Sequence, residues 1–108
     1  MALLAVDIGN SDIVFGLYQN QHWQTSWRHP THRYTQANQA LAEACEAQSL
    51  NPRDIEQVVL SSVVPGVTPT LHALLTAAIG HLPLLVDAQL YPQLDIAIDN
   101  PNEIGSDL

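Results

Sequence analysis

Two clusters in this 108-residue sequence bring together the residue types that phosphate binding and proton transfer require. The first, Asp7-Ile8-Gly9-Asn10-Ser11, closes an apolar run near the N-terminus. Gly9 permits a tight turn and close approach of a ligand, while Asn10, Ser11 and the turn's N–H groups supply donors for an anion. Asp7, at the end of a buried strand, is suited to hold a hydrated Mg²⁺ against nucleotide phosphates, because magnesium keeps its waters and takes one or two carboxylates. A plain hairpin turn rich in Asp, Gly and Asn accounts for the same residues.

The second cluster, Asp99-Asn100-Pro101-Asn102-Glu103-Ile104-Gly105-Ser106-Asp107, combines a turn with a helix entry. If the fold carries it to the first turn, Asp107 can take the proton of a substrate hydroxyl. The structural alternative makes Asp99 or Asn102 a helix cap and Asp107 a solvated first-turn acid that suits the helix dipole. His29 and His32, beside Arg28 and Arg33, have no carboxylate or cysteine close in sequence to complete a metal site, so they read as a solvated loop. His72 and His81 flank a helix and are expected on its outer side. Cys45 falls on a buried helical stripe and reads as an inert core thiol. Trp23 and Trp27 read as core residues, because no basic residues interleave them as a nucleic-acid stacking platform requires.

Composition narrows the functions further. The chain carries three arginines, no lysine and eleven carboxylates, for a formal charge of -8, which argues against a nucleic-acid-binding surface. It does not bar small anions, since backbone N–H groups can hold a phosphate without lysine. A single cysteine excludes an intramolecular disulfide and fits a reducing cytoplasm. No stretch reaches the roughly 18 apolar residues of a membrane helix. The apolar start, Met1 to Val6, lacks a basic leader and meets Asp7 too soon for a signal peptide, so a strand is expected there.

The elements that must position the two clusters follow from periodicity. Leu3 to Asp7 reads as a strand buried on both faces, and Ile13 to Tyr18 as a second. After the polar break Gln19-Asn20-Gln21, His22 to Arg28 gives a third strand, with Trp23, Thr25 and Trp27 on one face. Thr35 stands as the N-cap of a helix whose stripe is Ala37, Ala40, Leu41, Ala44 and Cys45. Asn51-Pro52 punctuates, and Val58 to Val64 reads as a buried strand ended by Pro65-Gly66. A second helix has Thr68 as N-cap, Pro69 at its first position, a stripe of Leu71, Leu74, Leu75, Ala78 and Ile79, and Gly80 as terminator. Leu82 to Val86 is a further strand, Asp95 to Ile98 is a candidate for one more that the element order leaves out, and Glu103 to Leu108 starts a helix. The order β-β-β-α-β-α-β predicts an α/β domain, a three-strand meander followed by alternating helices and strands in a mixed sheet.

Three segments in this order resemble the type III pantothenate kinases, of the actin-like ATPase, ribonuclease-H-like superfamily. They are Leu3-Leu4-Ala5-Val6-Asp7-Ile8-Gly9-Asn10-Ser11 with Ile13-Val14-Phe15-Gly16; Ser61-Ser62-Val63-Val64-Pro65 with Thr68-Pro69; and Asp99-Asn100-Pro101 with Glu103-Ile104-Gly105-Ser106-Asp107. The resemblance implies ATP-dependent phosphorylation of pantothenate, the first step of coenzyme A synthesis, in the cytoplasm. Asp7, Ile8, Gly9, Asn10, Ser11 and Asp12 would form the first phosphate loop. Gly105, Ser106, Asp107 and Leu108 would bind pantothenate, with Asp107 as proton acceptor. It also implies Mg²⁺, for which Asp7 is the candidate water-mediated ligand, a monovalent cation (K⁺ or NH₄⁺), and a homodimer with a shared active site; composition adds the expectation of no nucleic-acid or membrane partner. A non-catalytic nucleotide-binding or transcriptional accessory protein on the same fold is the alternative, because fold does not fix function.

The sequence departs from the family pattern at two points. The usual Gly-Ala-Asp-Arg reads Gly105-Ser106-Asp107-Leu108, without the arginine, and Ile98 replaces a tyrosine before Asp99-Asn100-Pro101. The family's second phosphate motif, monovalent-cation ligand and adenosine-side lobe match nothing in these residues. Residues 1–108 therefore read as an N-terminal ribonuclease-H-like lobe, incomplete at its C-terminal end and without the second lobe, and inactive if assayed alone.

Overall fold

The computed structural model of the protein describes residues 1–86. Strand β1 (Ala2–Ile8) pairs antiparallel with β2 (Asp12–Gln19), which pairs antiparallel with β3 (His22–Pro30). A 3₁₀ turn (Thr31–Gln36) leads into α1 (Ala37–Ala47), and a second (Pro52–Asp54) leads into β4 (Ile55–Ser62). Helix α2 (Thr68–Ile79) and the short β5 (Leu84–Leu85) follow. The sheet order is β3-β2-β1-β4-β5, with β4 parallel to both β1 and β5. The meander and the alternation that follows it are those expected from the sequence.

Strand alternation divides the side chains between two faces. Leu4, Val6 and Ile8 of β1 and Ile13, Phe15 and Leu17 of β2 are fully buried against Leu41 and Cys45 of α1 and Leu71, Leu75 and Ile79 of α2. Each such Leu, Ile or Phe contributes about 1.5–3 kcal/mol by leaving water, so this helix-covered face carries the stability. The opposite face, open in that neither α1 nor α2 packs on it, holds Leu3, Ala5 and Asp7 of β1, Val14 of β2, and Val59 and Ser61 of β4, of which Ala5, Val14 and Ser61 are buried.

The meander differs from expectation at Trp23. The β2–β3 register slips between Leu17 and Tyr18, so Thr25 faces Leu17 and Trp23 faces Tyr18, with Gln24 bulged between them. A bulge inserts one residue and reverses the alternation beyond it. Trp27 therefore stacks on Phe15 on the helix-covered face, ring centroids 5.0 Å apart, whereas Trp23 meets Tyr18 edge-on across the open face at 5.1 Å. The Gln24 amide donates to the Gln19 carbonyl at 2.6 Å and helps hold the bulge. At the hairpin tip Asn20 and Gln21 both take positive φ, 57° and 66°, the two-residue turn that matches strand twist.

Neither expected helix cap is one. Thr35 lies inside the 3₁₀ turn, and Gln36 precedes α1 without a side-chain bond. The chain is pinned to the β1–β2 turn at Thr31 and enters 3₁₀ geometry there, kinked at Arg33 (φ -111°, ψ 32°), so Thr35 falls inside the turn rather than ahead of α1. Thr68 is the first residue of α2 rather than its cap, and its hydroxyl points back toward Ser62 Oγ (2.8 Å) and the Val64 carbonyl (3.0 Å). Pro69 is then the second helical residue, where its missing N–H still costs nothing. Gly80 closes the helix at φ 100°, its N–H donating to the Thr76 carbonyl at 2.8 Å.

Strand β4 starts and ends three and two residues before the expected Val58 and Val64. It stops because Ser62 Oγ accepts the Val64 N–H at 2.9 Å and turns the chain, leaving Val63 62% exposed. β5 is shorter than expected, pairing only at Leu84–Leu85, both exposed. The candidate strand at Asp95 to Ile98 and the helix start at Glu103 to Leu108 lie outside the described residues.

Candidate active site

The parallel pair β1 and β4 ends side by side, with Asp7 opposite Ser61 and Ile8 opposite Ser62. The carboxyl ends of parallel strands are where open α/β sheets bind ligands, because loops and helix starts converge there. Asp7 lies half-buried on the open face and Ser61 is fully buried beside it. The Ser61 hydroxyl donates to Asp7 Oδ1 at 2.9 Å, which fixes the carboxylate's orientation. Ser61 shares the register row of Asp7, a relation visible only once the parallel pairing is known.

Beyond Asp7 the chain reverses in a tight turn, with the Gly9 N–H donating to the Asp12 carbonyl at 2.9 Å. A Cβ on residue 9 would lie 3.0 Å from that same oxygen, tighter than an ordinary van der Waals contact, so glycine lets the two backbones approach this closely without a shift. Asn10 and Ser11 are exposed at the tip, and Asp12 is half-buried as the first residue of β2. Ile8 differs from its neighbours: its side chain is fully buried in the core, and its carbonyl accepts the Val63 N–H at 3.0 Å. Any role for Ile8 at a ligand is through its backbone.

Thr31 braces the turn from the end of β3. Its N–H donates to the Ser11 carbonyl at 3.0 Å, and its hydroxyl to the Gly9 carbonyl at 2.8 Å. It is 5% exposed, a buried polar residue whose groups are both used. Sequence reasoning missed Thr31. Its only signal is register, since the pairing of Asp12 with Pro30 brings the residue after β3 against the turn.

The structure thus gathers Asp7, Gly9, Asn10, Ser11 and Asp12 in one braced turn, with Ser61 and Thr31 beneath it. Asp7 presents a hard oxygen ligand, oriented by Ser61 and open to solvent on one side, which fits a hydrated Mg²⁺. Gly105, Ser106, Asp107 and Leu108 lie outside the described residues. Among the described residues no group of three or more His, Cys, Asp or Glu side chains could hold a metal ion by itself. His29 Nε2 hydrogen-bonds the Arg33 carbonyl at 2.6 Å. His81, expected on the outer side of α2, instead hydrogen-bonds the Ile55 carbonyl at the start of β4, at 2.7 Å. Cys45 is buried in the core, and desolvation raises its thiol pKa, which disfavours the reactive thiolate. No helix among the described residues is long and apolar enough to cross a membrane.

Comparison with known proteins gives the chain's family and fold. Residues 3–108 match the sequence profile of the type III pantothenate kinases. The chain is 34% identical over 108 residues to the type III pantothenate kinase of Moorella thermoacetica, and 32% identical over 111 residues to that of Listeria welshimeri. In both cases the match covers 97% of this chain but 42% of the relative, so the chain spans less than half their length. Among solved structures, the ROK hexokinase of Thermus thermophilus superposes with a TM-score of 0.60 at 15% identity, over 81% of this chain and 34% of that one. YeaZ from Pseudomonas aeruginosa superposes with a TM-score of 0.65 at 11% identity, over 81% of this chain and 45% of that one. Both have the actin-like, ribonuclease-H-like fold, and the mixed sheet described here is of that kind.

Proposed function

The chain belongs to the type III pantothenate kinase family, and on that premise we propose that it supplies the first phosphate loop of an enzyme that phosphorylates pantothenate with ATP. The observation that carries this reading is the braced turn Asp7–Asp12 at the carboxyl end of β1, with Ser61 orienting Asp7. Phosphoryl transfer depends mostly on positioning and charge stabilisation, so a braced turn beside an oriented carboxylate supports this reading.

In this reading Gly9, Asn10, Ser11 and Asp12 line the phosphate chain and Asp7 holds Mg²⁺ through water. When bound, the magnesium offsets charge on the phosphate oxygens. Asp107 accepts the proton of the pantothenate hydroxyl as its oxygen forms a bond to the γ-phosphorus. The bond from that phosphorus to the bridging oxygen breaks, and ADP leaves with the electron pair. Gly105, Ser106 and Leu108 line the pantothenate side. A monovalent cation, a homodimer with a shared active site and a cytoplasmic location belong to the same reading.

The 108 residues assayed alone should give no pantothenate-dependent ADP release, because one phosphate loop is only part of the clamp that positioning requires. The intact protein should form ADP only when pantothenate is present. Nucleotide binding without that turnover would overturn the kinase reading in favour of an accessory protein on the same fold.

A further inference from the structure

The phosphate turn itself carries no cation, and the chain offers few. It has three arginines, Arg28, Arg33 and Arg53, and no lysine. Arg53 stands in the 3₁₀ turn before β4, at the end of the sheet away from Asp7 and close to Gly80. Arg33 lies within the Thr31–Gln36 turn. Arg28 is different, because strand register places it in the row of the site.

Ser61 pairs with Asp7, Asp7 with Val14, and Val14 with Arg28. Trp27 stacks on Phe15 on the helix-covered face, so alternation puts Arg28 on the open face with Val14 and Asp7. With strands about 4.8 Å apart, the Arg28 and Asp7 backbones are separated by roughly 10 Å. Among the described residues Val14 stands between them in the register row, a short side chain that is itself 7% exposed. An extended arginine is long enough to reach across it toward Asp7.

We propose that Arg28 is a phosphate-contacting residue, holding the phosphate chain of a nucleoside triphosphate across Val14 from Asp7. The proposal rests on the phosphate reading of the Asp7–Asp12 turn and names the cation that this reading lacks. Asp7 and Asp12 both belong to the open face, on a chain of net charge -8, and each repels a phosphate. A guanidinium beside them offsets that repulsion and matches phosphate oxygens with paired N–H groups, a geometry lysine cannot reproduce. Arg28 is engaged in the structure as it stands. A guanidinium has several N–H donors and serves more than one partner, so the ligand joins or exchanges with that contact.

The test is calorimetric titration of the intact protein with MgATP and with adenosine, comparing wild type, Arg28→Gln, Arg28→Lys, Arg53→Gln and Asp7→Ala, each checked by thermal melting. Arg28→Gln should weaken MgATP binding about tenfold or more, the scale of a charged hydrogen bond, and leave adenosine unchanged. Arg28→Lys should fall between, and Arg53→Gln should match wild type. Wild-type MgATP affinity in Arg28→Gln, or an equal loss for adenosine, overturns the proposal. If Arg28→Gln does not fold, Arg28→Lys decides, and unchanged MgATP affinity there overturns it. A loss in Asp7→Ala without one in Arg28→Gln removes Arg28 alone. No MgATP binding by wild type, or none lost in Asp7→Ala, removes the phosphate reading with it.

Discussion

Replacing Ser61 with alanine tests whether the carboxylate of Asp7 is held or merely present. Ser61 is fully buried, and its hydroxyl gives Asp7 Oδ1 a hydrogen bond of 2.9 Å. A hydrogen bond to a charged group contributes about 1.5–3 kcal/mol net. Asp7 is only half-buried, so water recovers part of the loss and the expected cost lies near the lower end, about 1.5 kcal/mol. Removing one oxygen leaves almost no void, so cavity formation adds little. With urea slopes of about 1–3 kcal/mol per molar, Ser61→Ala should lower the unfolding midpoint by roughly 0.5–1.5 M. The assay is a double-mutant cycle with Asp7→Ala, in which the pair should couple by about 1 kcal/mol. Costs that simply add, within about 0.3–0.5 kcal/mol, would refute the claim that Ser61 acts on Asp7.

Gly9→Ala sets a Cβ 3.0 Å from the Asp12 carbonyl, so that oxygen must give way and the turn with it; the variant should weaken MgATP binding, which titration checks, while melting follows the fold. Cys45 should react with a thiol reagent only as fast as the protein opens, because burial both blocks it and raises its pKa; rapid labelling of the native protein would contradict its core placement. In the intact protein Asp107→Asn should lower kcat by about 10²–10⁴, the range of general-base catalysis, while leaving ATP affinity nearly unchanged. An unchanged kcat would remove Asp107 from the mechanism.

The sequence made β1, β2, both helices and the Asp7–Ser11 turn legible because their signals are local: apolar runs, a helical stripe, and glycine at the points where the chain reverses or stops. Gly80 is such a case, at φ 100°. What escaped depends on partners distant in the chain. The bulge at Gln24, which parts Trp23 from Trp27, is set by how β3 meets β2. Thr35 and Thr68 have the composition of caps, yet the tie of Thr31 to Gly9 and the tie of Thr68 to Ser62 decide where the helices begin. In the site itself, the chemistry of Asp7 and Gly9 could be read from residue types. Ser61 and Thr31 enter it only through strand register, 54 and 22 residues from their partners.

The central claim is that the phosphates of ATP sit on the turn at the carboxyl end of β1. Backbone amide shifts of the intact, isotope-labelled protein during titration with MgATP test it most directly. Gly9, Asn10, Ser11 and Ser61 should shift in proportion to bound nucleotide, while Asn20 and Gln21, at the far hairpin, should not move. Saturable binding that leaves the Gly9, Asn10 and Ser11 amides in place would contradict the account.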